Sequence, residues 1–389
     1  MIFYCIKRCI LYAFLPALFF ISCNAGSKKK ENTATANTTT KNTTDSTWLL
    51  PFNKLDFVNP VMQPGNLSFI CPVQHKQVKW ETKNVYNPAI AVKNDTLIML
   101  YRAQDSAGCS RIGIAKSVDG IHFSRDSSPV LYPDNDVYKK YEWPGGCEDP
   151  RLVQDSAGTY YLTYTAYDGT IARLMLATST DLYHWKKLGP VFTGGQYKNM
   201  WSKSGSIISD YTDGKIIAKK INGLYYMYWG DKYIWLATSP DLINWTALQQ
   251  TPDNNYDSVY SAYNISTLKI ALPTRKHMFD CNIVESGPPA MITDKGILLI
   301  YNSRNIPSIG DTSLPEGTYT VSQVLFDKND PGKIVERMNH YFLKPEQRYE
   351  FSGEVNNVCF AEGLADFKNK WWLYYGTADS KIAVAVKNK

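Results

Sequence analysis

The chain has little histidine, five residues in 389, and no two of them lie close together in the sequence. This scarcity argues against a His-rich metal centre, and we predict neither a metal nor a cofactor. The sequence also lacks the motifs G-x-S-x-G, H-E-x-x-H and G-x-x-x-x-G-K-[ST]. Serine hydrolase, zinc protease and nucleotide-binding functions therefore have no support from local motifs.

Cysteine and charge are similarly uninformative about a partner. Beyond the N-terminal region the cysteines are an odd number at wide spacing, namely Cys71, Cys109, Cys147, Cys281 and Cys359. No disulfide framework or zinc pattern is visible, and buried thiols with one incidental pair at most are expected. The net charge of +6 comes from scattered lysines and arginines. We therefore predict no nucleic-acid partner.

The N-terminus reads as an export signal. Lys7 and Arg8 precede the apolar run 9–22, which is too short to span a bilayer comfortably, and Cys23 follows in the sequence FISC. FISC resembles the lipobox of bacterial lipoproteins, whereas an uncleaved anchor or a plain secretory signal are the alternatives. We predict a lipoprotein signal peptide over 1–22, lipidation of Cys23, and attachment to the membrane through that lipid only.

A polar segment follows the signal. Residues 23–47 are rich in Thr, Asn and Lys and lack the apolar residues that a core requires, so they predict a flexible tether. With the lipid anchor, this places the folded domain at the bacterial cell envelope, either periplasmic or at the cell surface. The oligomeric state is not predicted.

A repeat of about sixty residues organises the rest of the chain. AKSVDGIHF, ATSTDLYHW and ATSPDLINW begin at Ala115, Ala177 and Ala237, which are 62 and 60 residues apart. Each follows a short apolar strand, and two further strands, near Leu298 and Trp371, keep the pattern without the signature. Five such units predict an all-β fold over 48–389, a five-bladed β-propeller with four-stranded blades. A pair of stacked β-sandwiches would not explain the spacing.

Propeller blades bring equivalent positions together at a central funnel. The positions that precede the first strand of each unit hold polar side chains, and we expect these to converge: Asn87 and Pro88, Glu148 and Asp149, Lys203 and Ser204, Glu285, and Asn356 and Asn357. Ten Trp and 27 Tyr add aromatic surface suited to sugar rings.

Carboxylates in such a funnel suit glycosidic bond cleavage, in which one acid protonates the leaving oxygen and a second group activates the nucleophile. Asp149, in GCEDPRLV, is the candidate acid, with Glu148 and Arg151 as its electrostatic neighbours. Glu285 is the leading candidate base and Glu354 the reserve. The structural alternatives are a salt bridge between Asp149 and Arg151 and a turn role for Glu285.

These blocks together resemble glycoside hydrolase family 130, the mannoside phosphorylases and β-mannosidases built on a five-bladed propeller. The resemblance covers about residues 84–385 and is carried by NPAI with LYRA, GCEDPRLV, KKINGLYYMYWGD, ESGPPAMITDKG, YEFSG and LYYGTADSKIAVA. It implies that Asp149 is the general acid, acting through a mannosyl hydroxyl. It also implies a mannose subsite that involves Asn87, Arg102, Arg151 and Asp379.

The choice between water and phosphate as acceptor rests on charge. Lys220 resembles a retained basic position, as a phosphorylase needs, but Asn302 stands where the family usually has a His, and Glu285 would repel phosphate. Export points the same way, because phosphorolysis conserves energy only where the sugar phosphate enters metabolism. The prediction is an inverting, exo-acting β-mannosidase, perhaps acting on β-1,2 linkages.

Three alternatives remain open from the sequence. The first is a β-mannoside phosphorylase that uses inorganic phosphate. The second is a glycan-binding propeller lipoprotein without catalysis, against which the intact Asp149 argues. The third, more distant, is a related glycosidase acting on arabinosides or fructosides. In every case the predicted partner is an oligosaccharide or glycan.

Overall fold

Strands make up nearly all of the regular structure in the computed structural model, which describes residues 47–194, 197, 199–251 and 267–389. The predicted signal peptide, Cys23 and all of the predicted tether except Thr47 lie outside these residues. Within the described ranges there are two helices of four residues each, and none is long and apolar enough to cross a membrane. The prediction of an all-β fold is thus confirmed for this part of the chain.

The strands of the first half fall into an N-terminal group and two antiparallel units. The N-terminal strands are β1 (Asn53–Lys54), β2 (Ser68–Cys71) and β3 (Lys76–Lys79). Unit one contains β4 (Asn84–Lys93), β5 (Thr96–Gln104), β6 (Ser110–Ser117) and β7 (Ser124–Arg125), paired in that order. After helix α1 (Lys139–Glu142), unit two contains β8 (Gly146–Gln154), β9 (Tyr160–Tyr167), β10 (Ala172–Ser179) and β11 (Lys186–Pro190).

Unit three departs from this plain meander. It has the order β12 (Ser206–Ile207), β16 (Leu224–Trp229), β17 (Ile234–Ser239) and β18 (Thr246–Ala247). Strands β15 (Lys220–Ile221) and β19 (Ile270–Leu272) extend it by pairing with β16 and β17. The hairpin of β13 (Ser209–Thr212) and β14 (Lys215–Ala218) instead joins unit two to unit four through parallel bridges.

The last two units complete the chain. Unit four pairs β20 (Ile283–Ser286) and β21 (Met291–Ile292) with β22 (Ile297–Arg304), followed by β23 (Tyr319–Phe326) and β24 (Ile334–Arg337). Helix α2 (Arg348–Phe351) precedes unit five, which contains β25 (Cys359–Phe367), β26 (Lys370–Thr377) and β27 (Lys381–Asn388). Strand β1 pairs with β27, so an N-terminal strand supplies the fourth strand of the last unit.

The repeated Ser-x-Asp signature forms the same turn in three units. In unit one the Ser117 hydroxyl accepts the amide hydrogen of Gly120, and Asp119 Oδ1 accepts those of Ile121 and His122. The pairs Ser179 with Asp181 and Ser239 with Asp241 lie at the equivalent turns of units two and three. Short polar side chains stabilise such turns because they replace missing backbone partners. The sequence repeat of about sixty residues therefore arises because the same turn occurs once in each of these three units.

The core lies between units rather than inside one. Each of five hydrophobic clusters contains side chains from two neighbouring units, and one of them joins unit five to unit one. Such pairs are Leu100 with Leu162, Leu176 with Trp235, Tyr228 with Phe326, Val321 with Leu373, and Met99 with Trp372. A sheet buries its faces only against its neighbours, so consecutive units stabilise one another. The closed five-bladed propeller itself stays a prediction.

Candidate active site

Irregularities in the first strands of three units position the central side chains. The pairing register shifts at Asn87 in β4, at Asp149 and Pro150 in β8, and at Glu362 in β25. Asn87 and Asp149 adopt left-handed backbone conformations, with φ of 50° and 48°. A β-bulge leaves one residue unpaired and redirects its side chain. Each of these three strands thus has a polar residue at its bulge, within a run that is otherwise largely apolar.

Asp149 lies buried among donors. Its Oδ1 accepts hydrogen bonds from Asn87 Nδ2 at 2.8 Å and Arg102 Nη1 at 3.0 Å, and Lys203 Nζ lies 3.6 Å from its Oδ2. Burial alone would raise the pKa of this carboxyl, but Arg102, Lys203 and Asn87 together hold it well below its usual value. Asp149 is therefore ionised in the free protein at neutral pH.

Glu148 shares the same guanidinium. Arg102 Nη2 donates to Glu148 Oε1 at 2.6 Å, and the Ser110 hydroxyl donates to the same oxygen at 3.2 Å. Burial is the main cause that raises the pKa of Glu148, with the negative charge of Asp149 adding to it and Arg102 opposing it. Two adjacent carboxyls whose pKa values move apart titrate as a pair. One arginine thus organises both carboxyls of the GCEDPR motif.

Glu285 approaches Asp149 from unit four. The carboxyl is buried, accepts a hydrogen bond from the Ser204 hydroxyl, and has its Oε1 at 3.7 Å from Lys203 Nζ. Burial raises the pKa of Glu285, while Lys203 opposes that shift. Because Lys203 touches both carboxylates, Asp149 Oδ2 and Glu285 Oε1 lie no further apart than the two distances added together, about 7 Å. That limit overlaps the lower part of the separation, roughly 6.5 to 9.5 Å, that inverting glycosidases use.

Lys203 is the cation at the centre of this group. The repeat predicts that it converges here, but lysine in WSKSGSI has no distinctive spacing that would indicate a role. Burial alone would lower its pKa, yet the carboxylates of Glu285, Asp149 and Asp231 raise it above the usual value. Lys203 is thus positively charged and lies between the two candidate catalytic carboxyls.

Lys220, the expected basic residue, lies elsewhere. It is exposed on β15, and its Nζ lies 5.1 Å from the centroid of the Tyr225 ring, near the start of β16. The other end of β16 leads to Gly230, whose amide donates to the carbonyl of Lys203. The assignment of Lys220 to the site is therefore corrected, because the length of a strand separates it from Lys203.

Arg151, which the family resemblance assigns to the mannose subsite, contacts the protein backbone. Its buried guanidinium donates to backbone carbonyls, from Nε to Gly287 at 2.9 Å, from Nη2 to Ser286 at 2.6 Å, and from Nη1 to Asp149 at 3.3 Å. These bonds use three of the five N–H donors of the guanidinium and hold its plane in place. Arg151 thus connects the strand that carries Asp149 to the segment that follows Glu285, a structural role.

Glu362 is a buried carboxyl that the sequence analysis missed. Its Oε1 lies 3.0 Å from Arg151 Nη2, but within the described part of the chain neither carboxyl oxygen has a partner with hydrogen-bond geometry. Burial raises the pKa of Glu362 well above its usual value, against the opposing charge of Arg151. The available signal was an acidic residue, Glu362, placed among the apolar residues that begin the run CFAEGLADF. Unit five therefore contributes Glu362 at its bulge, and not Asn356 and Asn357 as expected.

Asp379 and Glu354 differ in their relation to the centre. Asp379 has a left-handed backbone with φ of 48° and a pKa raised to about 7, mainly by burial, with Arg102 opposing and Asp149 adding to the shift. Glu354 is 37% exposed, its Oε2 lies 2.9 Å from Lys83 Nζ, and it accepts a hydrogen bond from Asn84. Glu354 is thus more exposed than Glu285 and pairs with Lys83, and its assignment as the reserve base stays a prediction.

The residues that form the site are oxygen and nitrogen donors without a metal-ligand arrangement. Among the described residues no group of three or more His, Cys, Asp or Glu side chains is placed to hold a metal ion. The chemistry available to this arrangement is proton transfer between buried carboxyls and charge stabilisation by Arg102 and Lys203.

Comparison with known proteins identifies the family. A family model described as β-1,4-mannooligosaccharide phosphorylase matches residues 66–389, and the chain therefore belongs to glycoside hydrolase family 130. A 1,2-β-oligomannan phosphorylase from Thermoanaerobacter sp. (strain X514) is 30% identical over 79% of this chain and 91% of its own length.

Two solved structures are more similar to this chain in sequence than the Thermoanaerobacter phosphorylase is. A glycosyl hydrolase from Bacteroides ovatus is 42% identical, covers 87% of this chain and 94% of its own, and superposes with a TM-score of 0.80. The other structure is 41% identical over 87% of this chain and 94% of its own, also with a TM-score of 0.80. That structure belongs to work on the GH130 family of mannoside phosphorylases, which contains glycoside hydrolases that target β-1,2-mannosidic linkages in Candida mannan.

Proposed function

We propose that this protein is an exo-acting enzyme that cleaves the β-mannosidic bond of a terminal mannosyl residue. The observation that carries the proposal is the contact of Lys203 with two buried carboxylates, Asp149 at 3.6 Å and Glu285 at 3.7 Å. An acid and a second carboxyl on opposite sides of a glycosidic bond are the usual equipment for its cleavage. Membership of family 130 and the names of the relatives support mannosides as the substrate class.

In this proposal the proton for the leaving oxygen comes from the Glu148 and Asp149 pair. Arg102 contacts both carboxyls, and Asp149 is ionised in the free protein while the pKa of Glu148 is raised. A sugar hydroxyl that displaces Lys203 from Asp149 would remove part of the positive charge that keeps the pKa of Asp149 low, so that the proton of the pair moves toward Asp149. Asp149 then acts as the acid while Arg102 stabilises the charge that remains.

Water is the acceptor that the charges of the site favour. Glu285 places a carboxyl beside Lys203, where it would deprotonate an attacking water and repel a phosphate. The released mannose would have an inverted anomeric configuration, because water attacks opposite the leaving group. The structure described as related to hydrolases of β-1,2 linkages, 41% identical to this chain, supports the same acceptor and the same linkage.

Phosphorolysis is the second candidate reaction, and the description of the matching family model and the curated relative favour it over hydrolysis. A phosphorylase would bind inorganic phosphate with Lys203 and Arg102, the two cations that contact the site carboxylates. Binding of an anion there would require Glu285 to be protonated, and burial does raise the pKa of this carboxyl.

One assay separates the two reactions. The purified domain is incubated with β-mannobioses of different linkage, with and without inorganic phosphate, and mannose and mannose 1-phosphate are measured separately. Release of α-configured mannose that does not depend on phosphate supports the hydrolase. Formation of mannose 1-phosphate only in the presence of phosphate supports the second candidate, and no turnover of any mannobiose rejects both.

We also propose how the five units are arranged and where in the cell the domain is located. The shared clusters between consecutive units, and between the last and the first, support a five-bladed ring around the carboxylates. The run 9–22 with Cys23 supports export and lipid attachment at the cell envelope. Expression of the full chain with Cys23→Ala tests this location, because loss of the lipid should move the enzyme from the membrane fraction to the soluble fraction.

A further inference from the structure

Trp201 is the one exposed tryptophan among the described residues, with 41% of its surface accessible. An accessible indole offers an apolar face on which a sugar ring can stack. The two reactions proposed above use only the carboxylates and the cations that contact them. Trp201 has no role in either reaction step.

The indole of Trp201 is held in one orientation. Its Nε1 donates a hydrogen bond to Asp231 Oδ2 at 2.8 Å, and its ring meets that of Tyr167 edge-on, with the centroids 6.2 Å apart. A ring fixed on both sides loses little conformational entropy when a ligand stacks on it. The pair of rings therefore has the character of a binding surface prepared in advance.

All three of these residues are connected to the candidate catalytic groups, Trp201 through the chain and the other two through backbone pairing. Trp201 precedes Lys203 by two residues, and Tyr167 pairs across the sheet with Gly146, two residues before Glu148. Asp231 follows Gly230, whose amide donates to the Lys203 carbonyl at 2.9 Å. The negative charge of Asp231 also acts on both Lys203 and Glu285. Units two and three thus hold the aromatic pair next to the segments that carry the acid pair and the central lysine.

We propose that Trp201, with Tyr167 at its edge, forms the subsite for the sugar unit on the leaving-group side of the scissile bond. The inference rests on the proposed function, since an exo-acting enzyme must hold this sugar while it removes the terminal mannosyl residue. The ligand is a pyranose whose apolar face stacks on the indole, with Asp231 as the polar neighbour for its hydroxyls. A protein partner is a poorer fit, because the surroundings of the ring are charged.

The experiment compares two donors that differ only in the leaving group. β-Mannobiose carries a sugar on the leaving-group side, whereas β-mannosyl fluoride carries a single atom there. We measure kcat/KM for both, with and without phosphate, in wild type, Trp201→Ala, Trp201→Phe and Leu224→Ala. For Trp201→Ala we expect the ratio of mannobiose to fluoride activity to fall about tenfold, with a smaller fall for Trp201→Phe, which keeps a ring.

Leu224→Ala is the matched control, because Leu224 is an exposed apolar residue at the other end of β16 from Gly230, and its ratio should equal that of wild type. An unchanged ratio in a folded, active Trp201→Ala protein overturns the subsite. Equal losses on both donors also overturn it, since a damaged catalytic centre would give that result. If wild type turns over neither donor, the proposed function itself has failed, and the two failures are thereby distinguished.

Discussion

Arg151 donates a hydrogen bond from Nη2 to the backbone carbonyl of Ser286, 135 positions further along the chain, at 2.6 Å. The same guanidinium donates to the carbonyl of Asp149 and to that of Gly287. Asp149 is the candidate acid, and Ser286 directly follows Glu285, the candidate base. A single buried side chain therefore fixes the backbone positions of both candidate catalytic residues, and with them the space available for water between the carboxyls.

Arg151→Lys should separate this positioning role from substrate binding. Lysine keeps the charge but cannot donate to three carbonyls in one plane, so we expect kcat to fall about 100-fold with little change in KM. Steady-state kinetics on the preferred mannobiose measure both values, and Lys220→Arg serves as the exposed control. A rise in KM at constant kcat would instead place Arg151 in the mannose subsite.

Asp149→Asn should remove most turnover and leave the protein folded. Loss of a general acid typically costs about 10²- to 10⁴-fold in rate. Asparagine retains the shape of the side chain and can still accept from Arg102 Nη1. Circular dichroism and thermal melting check the fold, and Asp294→Asn, an exposed turn residue, provides the control. A variant as active as wild type would refute the role of Asp149 as acid.

Glu285 and Glu354 can be compared directly as bases. Glu285 is buried beside Lys203, whereas Glu354 is partly exposed and pairs with Lys83, so Glu285→Gln should lower kcat about 100-fold and Glu354→Gln should lower it much less. Azide added to Glu285→Ala tests the assignment further, because an external nucleophile restores activity only where the missing carboxylate activated water. The reverse ranking of the two glutamine variants would restore Glu354 as the base.

Asp379 should make stability depend on pH in a defined direction. Its pKa is about 7 in the folded protein, against an ordinary 3.8, so the folded state binds more protons than the unfolded state between these values. Stability from this group is therefore greatest at low pH and declines as pH rises toward 7. Denaturant unfolding of wild type and Asp379→Asn from pH 4 to 8 should show a steeper decline in wild type, because other buried carboxyls with raised pKa values remain in the variant. Parallel curves would contradict the shift.

Glu362→Gln should be at least as stable as wild type at pH 7. Burial raises the pKa of Glu362 well above its usual value and thus favours the neutral carboxyl, and glutamine is a neutral residue of the same shape. Thermal melting compares the two proteins, with Glu362→Ala expected to be less stable because it leaves a cavity beside Arg151. A marked loss of stability in Glu362→Gln would mean that an ionised Glu362 pairs with Arg151.

Much of the fold follows from local sequence. The Ser-x-Asp turns at Ser117, Ser179 and Ser239 depend only on hydrogen bonds within four residues, so their repetition predicted the units and their spacing. The strands between them are short apolar runs whose period is visible without any tertiary contact. Glu285 was expected near the Asp149 side because equivalent positions of repeated units come together, and Lys203 now connects the two.

The sequence by itself thus determined an all-β chain of repeated units and the polar positions that face one another. Tertiary structure alone decided what each polar side chain does. Arg151 donates to carbonyls 135 and 136 positions away, Glu362 lies buried against Arg151 from unit five, and Lys220 lies against the Tyr225 ring although its motif suggested a site. Roles of this kind depend on distances and desolvation between strands far apart in the chain, which no local pattern encodes.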